Sequence, residues 1–128
     1  LAALRWYGQQ FALRTGVSTE VLDCPTPMRL PAAVETALFR IAQEALNNVA
    51  KHAAASKVVI SLRCQPDQVR LTITDDGRGF HMGRARQIED EPHWGFLTMQ
   101  ERALAVGGAL HVNSQPGAGA TVTVEVIL

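Results

Sequence analysis

The rhythm of apolar and polar positions changes several times along this chain, and each change marks an element. Across residues 2–15, "AALRWYGQQFALRT", the side chains of Leu4, Tyr7, Phe11 and Leu13 gather at helical spacing, and Gly16 offers a stop. A short strand, "VSTEVLD", follows. The next segment, "CPTPMRLP", reads as a loop whose last residue, Pro31, suits the start of a helix. The strongest helical pattern runs from about Ala32 to Ala54, where Val34, Leu38, Ile41, Ala45 and Val49 recur every three or four residues. Then "KVVISLRC" and "QVRLTITD" alternate with period two around "QPD", which predicts an antiparallel pair. Residues 80–94 keep no period. "GFLTMQERALAVGG" returns to helix and halts at its two glycines, and "ALHVNS" and "ATVTVEVIL" are strands around the "QPGAG" turn.

Helix, strand, helix, two strands, loop, helix, two strands is the order of an α+β fold. It predicts a two-layer α/β sandwich, with helices covering one face of a mixed, mostly antiparallel sheet. No internal repeat or linker breaks the pattern, so residues 1–128 read as a single domain. Composition agrees: 128 residues, 47% of them hydrophobic, suffice for one core. Charge narrows the function classes. Twelve basic and twelve acidic side chains cancel, which leaves no one-sign field for a nucleic acid or an anionic membrane surface. No apolar run reaches the length of a membrane span. The chain starts mid-pattern without a methionine and reads as a piece excised from something longer. Cys24 and Cys64 lack metal-ligand spacing and read as small hydrophobes in a reducing compartment.

Candidate chemistry lies in four places. On the long helix, Arg40, Glu44 and Asn48 follow one another at i, i+4, with Lys51 three further on. Glu44 and Asn48 fall beside the edge of the apolar face, whereas Asn47 turns toward water. A carboxylate and an amide oxygen there could hold a hard cation or orient a reacting group; an ordinary solvated helix flank is the alternative. In "ITDDGRGF", Asp75 ends a strand and Gly77 and Gly79 permit close approach of a ligand. A hairpin is ruled out by the patternless residues that follow. An acceptor-only carboxylate suits an exocyclic amine such as that of adenine, and a polar strand end is the plainer reading. The glycine turn "PGAGAT" could face phosphate oxygens, although such turns join strands everywhere. Finally, the loop 80–94 leads into a helix N-terminus near Gly95, a natural anion site. Neither a P-loop nor a dinucleotide-fold glycine fingerprint occurs, and the four histidines show no zinc spacing.

Taken together and in order, "LFRIAQEALNNVAKHA", "DDGRGF", "WGFLTMQERA" and "GAGATVTV" resemble the asparagine box and three glycine boxes of the GHKL ATP-binding fold. More narrowly, they resemble the catalytic domain of sensor histidine kinases of the NarX-like and DesK-like type. The resemblance covers nearly the whole chain. It implies a protein-histidine kinase domain using ATP and Mg²⁺, with Asn48 as metal ligand, Asn47 beside it and Glu44 polarising the attacking group. It places Lys51 and His52 near the phosphates and Asp75 on the adenine amino group, with Gly77 and Gly79 shaping the pocket. Residues 80–94 would be the ATP lid, hinged at Gly95 and followed by Phe96, and Gly117, Gly119 and Thr121 would form the last box. Two departures stand out: Pro92 and His93 precede "WGF" where relatives often carry a second glycine, and Ala120 stands where many place threonine. The resemblance further implies a cytoplasmic domain, a homodimeric parent that can be membrane-anchored, an upstream dimerisation domain bearing the phosphoacceptor histidine, and a response regulator downstream. A GHKL anti-sigma factor or serine-kinase switch is the alternative; a degenerate nucleotide binder and a gyrase- or chaperone-type ATPase are weaker rivals.

Overall fold

The computed structural model describes residues 2–25, 29–79 and 95–128. Helix α1 spans Ala2–Thr15, strand β1 Ser18–Leu22 and helix α2 Ala32–Asn48, which continues as a single π-helical turn over Val49–Ala53. Strands β2 (Lys57–Gln65) and β3 (Gln68–Asp75), helix α3 (Phe96–Leu104), and strands β4 (Gly108–Ser114) and β5 (Ala120–Ile127) complete the order. The α+β sandwich expected from the pattern is therefore present. Residues 80–94, expected to form a lid, lie outside the described residues, as do Pro92 and His93.

The sheet runs in the order β1-β2-β3-β5-β4. Among the described residues β1 with β2 is the one parallel pair; β2–β3, β3–β5 and β4–β5 are antiparallel. Register puts Val58 opposite Asp75, Ile60 opposite Ile73 and Leu62 opposite Leu71, and then Ile73 opposite Val122 and Leu71 opposite Val124. Because side chains alternate across a strand, all of these fall on one face. That face meets Leu38, Ile41 and Leu46 of α2, with Leu4 and Phe11 of α1 and Met99 of α3, in one buried core. Each such side chain contributes roughly 1.5–3 kcal/mol by leaving water. The opposite face carries Thr72, Thr74, Thr121 and Thr123, the polar half of the alternation.

Local chemistry sets the element ends. Pro31 precedes α2 with φ −55°, and its carbonyl accepts the Val34 and Glu35 amides at 3.0 and 3.1 Å. Helix α1 can lie close on β1 because a side chain at Gly8 would meet Val21 at 2.9 Å.

Two expectations need correction. Leu13 does not join the buried side of α1: it is 81% exposed, and Gly8 takes the inner position one turn before Phe11. Cys24 and Cys64 are not separate thiols. They are joined as a disulfide, because the parallel β1–β2 pairing brings residues 40 apart in sequence to a Cα separation of 5.8 Å, within disulfide reach.

Candidate functional site

At one end of the sheet the end of α2 stands over β3 and β5 and leaves an open cleft. Ala45, Val49 and Ala53 form its helical wall; Ile73, Ala120 and Val122 form its floor; Phe96 closes one side. Small apolar side chains opposite one another make a flat, apolar slot. Into it project two polar side chains, Asn48 and Asp75, only 7% and 8% exposed.

Asn48 gets there by helical phase. It is the last α-helical residue before the π turn, one turn beyond Glu44 and beside the buried Ala45 and Val49. A π turn adds a residue to the helical repeat, which re-aims the side chains around it and recurs at functional sites. Asn47, one residue earlier, is half-buried and does not line the cleft. Lys51 is exposed and His52 half-buried on the π turn, which Ala54 ends in a left-handed conformation at φ 50°.

Asp75 is placed by strand phase and chain exit. It is the last residue of β3, on the inward-facing row after Ile73. One carboxylate oxygen accepts the Gly77 amide at 2.8 Å. Burial pushes its pKa above the ordinary carboxylate value, against the opposing pull of N–H donors from Gly77 and Ala120 and with a small addition from the Asp76 charge. Two amides leave lone pairs on a carboxylate for a further donor. Asp76 has the opposite job. Its carboxylate accepts the Ser56 hydroxyl at 2.6 Å and the Ser56 and Lys57 amides at 2.9 Å, fixing the start of β2. Those bonds, the hydroxyl first, lower its pKa.

The glycines around Asp75 are sites of backbone contact. A Cβ on Gly77 would fall on the Ala53 carbonyl, one on Gly79 on the Gln115 carbonyl, and one on Gly119 on the carbonyl of Asp75 itself. The β4–β5 turn is thus packed onto the Asp75 exit, and Gly79 lines the cleft. Gly117 faces open space, but its amide donates to the Arg78 carbonyl. Gly95 precedes α3 at φ 62°, and a side chain there would fall on the Glu44 carboxylate. Glu44 is half-buried against the entrance to α3, at the edge of the cleft rather than in its lining.

Of the residues singled out from the sequence, Asn48, Asp75, Gly79 and Phe96 line one cleft. Glu44, Asn47, Lys51, His52, Gly77, Gly95, Gly117 and Gly119 lie on the same elements and turns but outside its lining. Thr121 does not approach it: between inward Ala120 and Val122 its side chain points to the far face, where its hydroxyl lies 3.4 Å from that of Thr74. The sequence reading missed the walls Ala45, Val49, Ala53, Ile73, Ala120 and Val122, which carry the same apolar signal as core. It also missed Asp76 and Arg78.

Comparison with known proteins gives concordant results. The sequence model described as "Histidine kinase-, DNA gyrase B-, and HSP90-like ATPase" matches residues 33–128. Among curated relatives, the sensor histidine kinase MctS of Rhizobium johnstonii is 39% identical over 122 residues, 95% of this chain and 26% of that protein. The sensor histidine kinase LiaS of Bacillus subtilis is 42% identical over 93 residues, 73% of this chain and 25% of that protein. The chain thus spans about a quarter of the length of these two relatives. Among solved structures, the histidine kinase domain of the Erythrobacter litoralis blue-light activated histidine kinase superposes with a TM-score of 0.74 at 21% identity. That match covers 96% of this chain and 58% of the other.

Proposed function

Since this chain belongs to the histidine kinase-, DNA gyrase B- and HSP90-like ATPase family, an ATP-binding fold, we propose that it is the catalytic domain of a sensor histidine kinase. In that role it transfers the γ-phosphoryl group of ATP to a histidine nitrogen on a separate dimerisation domain, releasing ADP. The observation that carries this is the pairing of Asn48 and Asp75, buried polar side chains that share one apolar cleft.

The cleft's walls suit a flat heteroaromatic ring. The Asp75 carboxylate, oriented by Gly77, accepts a hydrogen bond from the adenine amino group. Gly77, Gly79 and Gly119 keep the chain close enough for that contact, and Phe96 covers the ring. Toward the end of α2, Asn48 would hold Mg²⁺, with Asn47 supporting it and Lys51 and His52 facing the phosphates. Among the described residues no three His, Cys, Asp or Glu side chains converge on a metal position. Asn48 would offer such an ion its side-chain oxygen, a hard donor of the kind Mg²⁺ takes. Bound there, the ion neutralises phosphate charge. Glu44, at the cleft edge against Gly95, polarises the attacking nitrogen of the incoming histidine. Gly95 serves as the hinge of the segment before α3, and Gly117 donates its amide on the turn that closes the site. Thr121 contributes as a strand residue rather than through its hydroxyl.

Phosphoryl transfer asks mainly for positioning and charge neutralisation, which this set supplies. The acceptor histidine, the homodimeric parent and the response regulator belong to the proposal, as do a cytoplasmic setting and the single-domain boundaries 1–128. Among the described residues no helix is long and apolar enough to cross a membrane. The test is incubation of the chain with labelled ATP, Mg²⁺ and the purified upstream helical segment. An acid-labile, base-stable phosphoryl adduct on that segment is expected. Tight ATP binding with no adduct under any condition would reduce the domain to a nucleotide-binding switch.

A further inference from the structure

Within "DDGRGF", Arg78 has no task in the ATP-binding reading, and it touches both sides of the site. Its Nε–H donates to the His52 carbonyl at 2.6 Å. Its backbone N–H donates to the Ala53 carbonyl at 2.7 Å. Its own carbonyl accepts the Gly117 amide at 2.5 Å.

The first two bonds matter because of how α2 ends. A helix leaves its last carbonyls without intrahelical donors, and a π turn does the same over one more residue. Here Ala54 takes a left-handed conformation and the helix ends. Arg78 supplies two, one through the backbone and one through a charged side chain placed at the negative end of the helix. The third bond ties the same residue to the β4–β5 turn that packs on Asp75.

We infer that Arg78 is a positioning residue that fixes the end of α2, with Asn48, Lys51 and His52 on it, against the adenine-binding side of the cleft. The inference rests on the proposed function for its consequence and on the structure for its geometry. Without the guanidinium, the backbone bonds of residue 78 persist, so the fold and the Asp75 contact survive. The His52 carbonyl loses its charged donor, and the basic turn is no longer held in one place.

Two measurements on the 128-residue chain test this. In the nucleotide-free protein, the Arg78 Nε proton should exchange with water well below the rate of a solvated arginine, and Arg78→Ala should accelerate amide exchange in the π turn. In titrations with Mg-ATP and with adenosine, Arg78→Ala should weaken ATP about fivefold or more while leaving adenosine unchanged, the scale of one charge-assisted hydrogen bond lost at an exposed site. Arg78→Lys, which keeps the charge but lacks the Nε donor, should weaken ATP nearly as much. Equal loss of both ligands, or unchanged ATP affinity in Arg78→Ala, overturns the inference. A wild-type chain that binds neither ligand overturns the functional reading instead, and the exchange measurement then decides the clasp by itself.

Discussion

Gly119 and Gly117 offer a controlled comparison, because both sit on the same turn at nearly the same backbone angle, φ 74° and φ 79°. Replacing either with alanine imposes the left-handed penalty of a non-glycine residue, about 1 kcal/mol. They differ in what a Cβ would meet. At Gly117 nothing lies within 4 Å, whereas at Gly119 the new carbon would fall on the Asp75 carbonyl, with the Asp76 backbone 3.3 Å away. These are backbone atoms held in the β3–β5 ladder, so the strand exit itself must move, an overpacking cost of about 1–3 kcal/mol beyond the common term. Urea denaturation should therefore show Gly119→Ala less stable than Gly117→Ala by that difference. With a slope of about 1–3 kcal/mol per molar, the midpoints should separate by about 1 M. Because the displaced backbone belongs to Asp75, adenosine affinity should fall in Gly119→Ala and hold in Gly117→Ala. Coincident midpoints with equal adenosine affinity would show that the turn is not packed on the Asp75 exit, and the account of this glycine box would be wrong.

Further outcomes follow from the same site. Asp75→Asn should weaken ATP more than inorganic triphosphate, and equal losses would contradict an adenine contact. The folded-state pKa of Asp75 is raised, chiefly by burial. Its stabilising contribution is therefore complete below the unfolded pKa and lost as pH rises through the folded value, so at neutral pH the buried carboxylate is a cost that the amide should relieve. ATP affinity should follow the opposite course, falling as pH drops through that raised value and the acceptor is protonated; an affinity profile that stays flat while the carboxylate titrates would count against it. Asn48→Asp should abolish Mg-ATP binding with the fold nearly intact, and calorimetry showing unchanged affinity would remove the metal-ligand assignment. Reducing Cys24–Cys64 should destabilise the chain by about 4 kcal/mol, the chain-entropy value for a loop of this length; two freely titrating thiols in the untreated protein would refute the pairing.

Much of the site could be read one residue at a time. Helical phase alone put Asn48 beside the apolar face, where the structure buries it, and turned Asn47 toward water, where the structure leaves it half-buried and outside the cleft lining. Strand phase put Asp75 at an exit, where a carboxylate follows three inward apolar positions. The same rule, applied to "GAGATVTV", would have turned Thr121 outward, since Ala120 and Val122 flank it on the inner row; the family pattern drew attention to the hydroxyl instead. Leu13 failed for a related reason: a helix of weak periodicity has no clear inner face until something packs against it, and Gly8 let β1 choose that face.

Local spacing determined the elements, their order and the polar residues that end them, because the hydrophobic period is a property of neighbouring positions. What pairs with what lay beyond it. The disulfide exists because two strands run parallel, the cleft because α2 ends over β3 and β5, and the Arg78 clasp because a π turn leaves two carbonyls beside the chain leaving Asp75. None of these contacts joins residues close in sequence, and a one-dimensional pattern carries no information about which distant backbone groups must satisfy one another when the layers close.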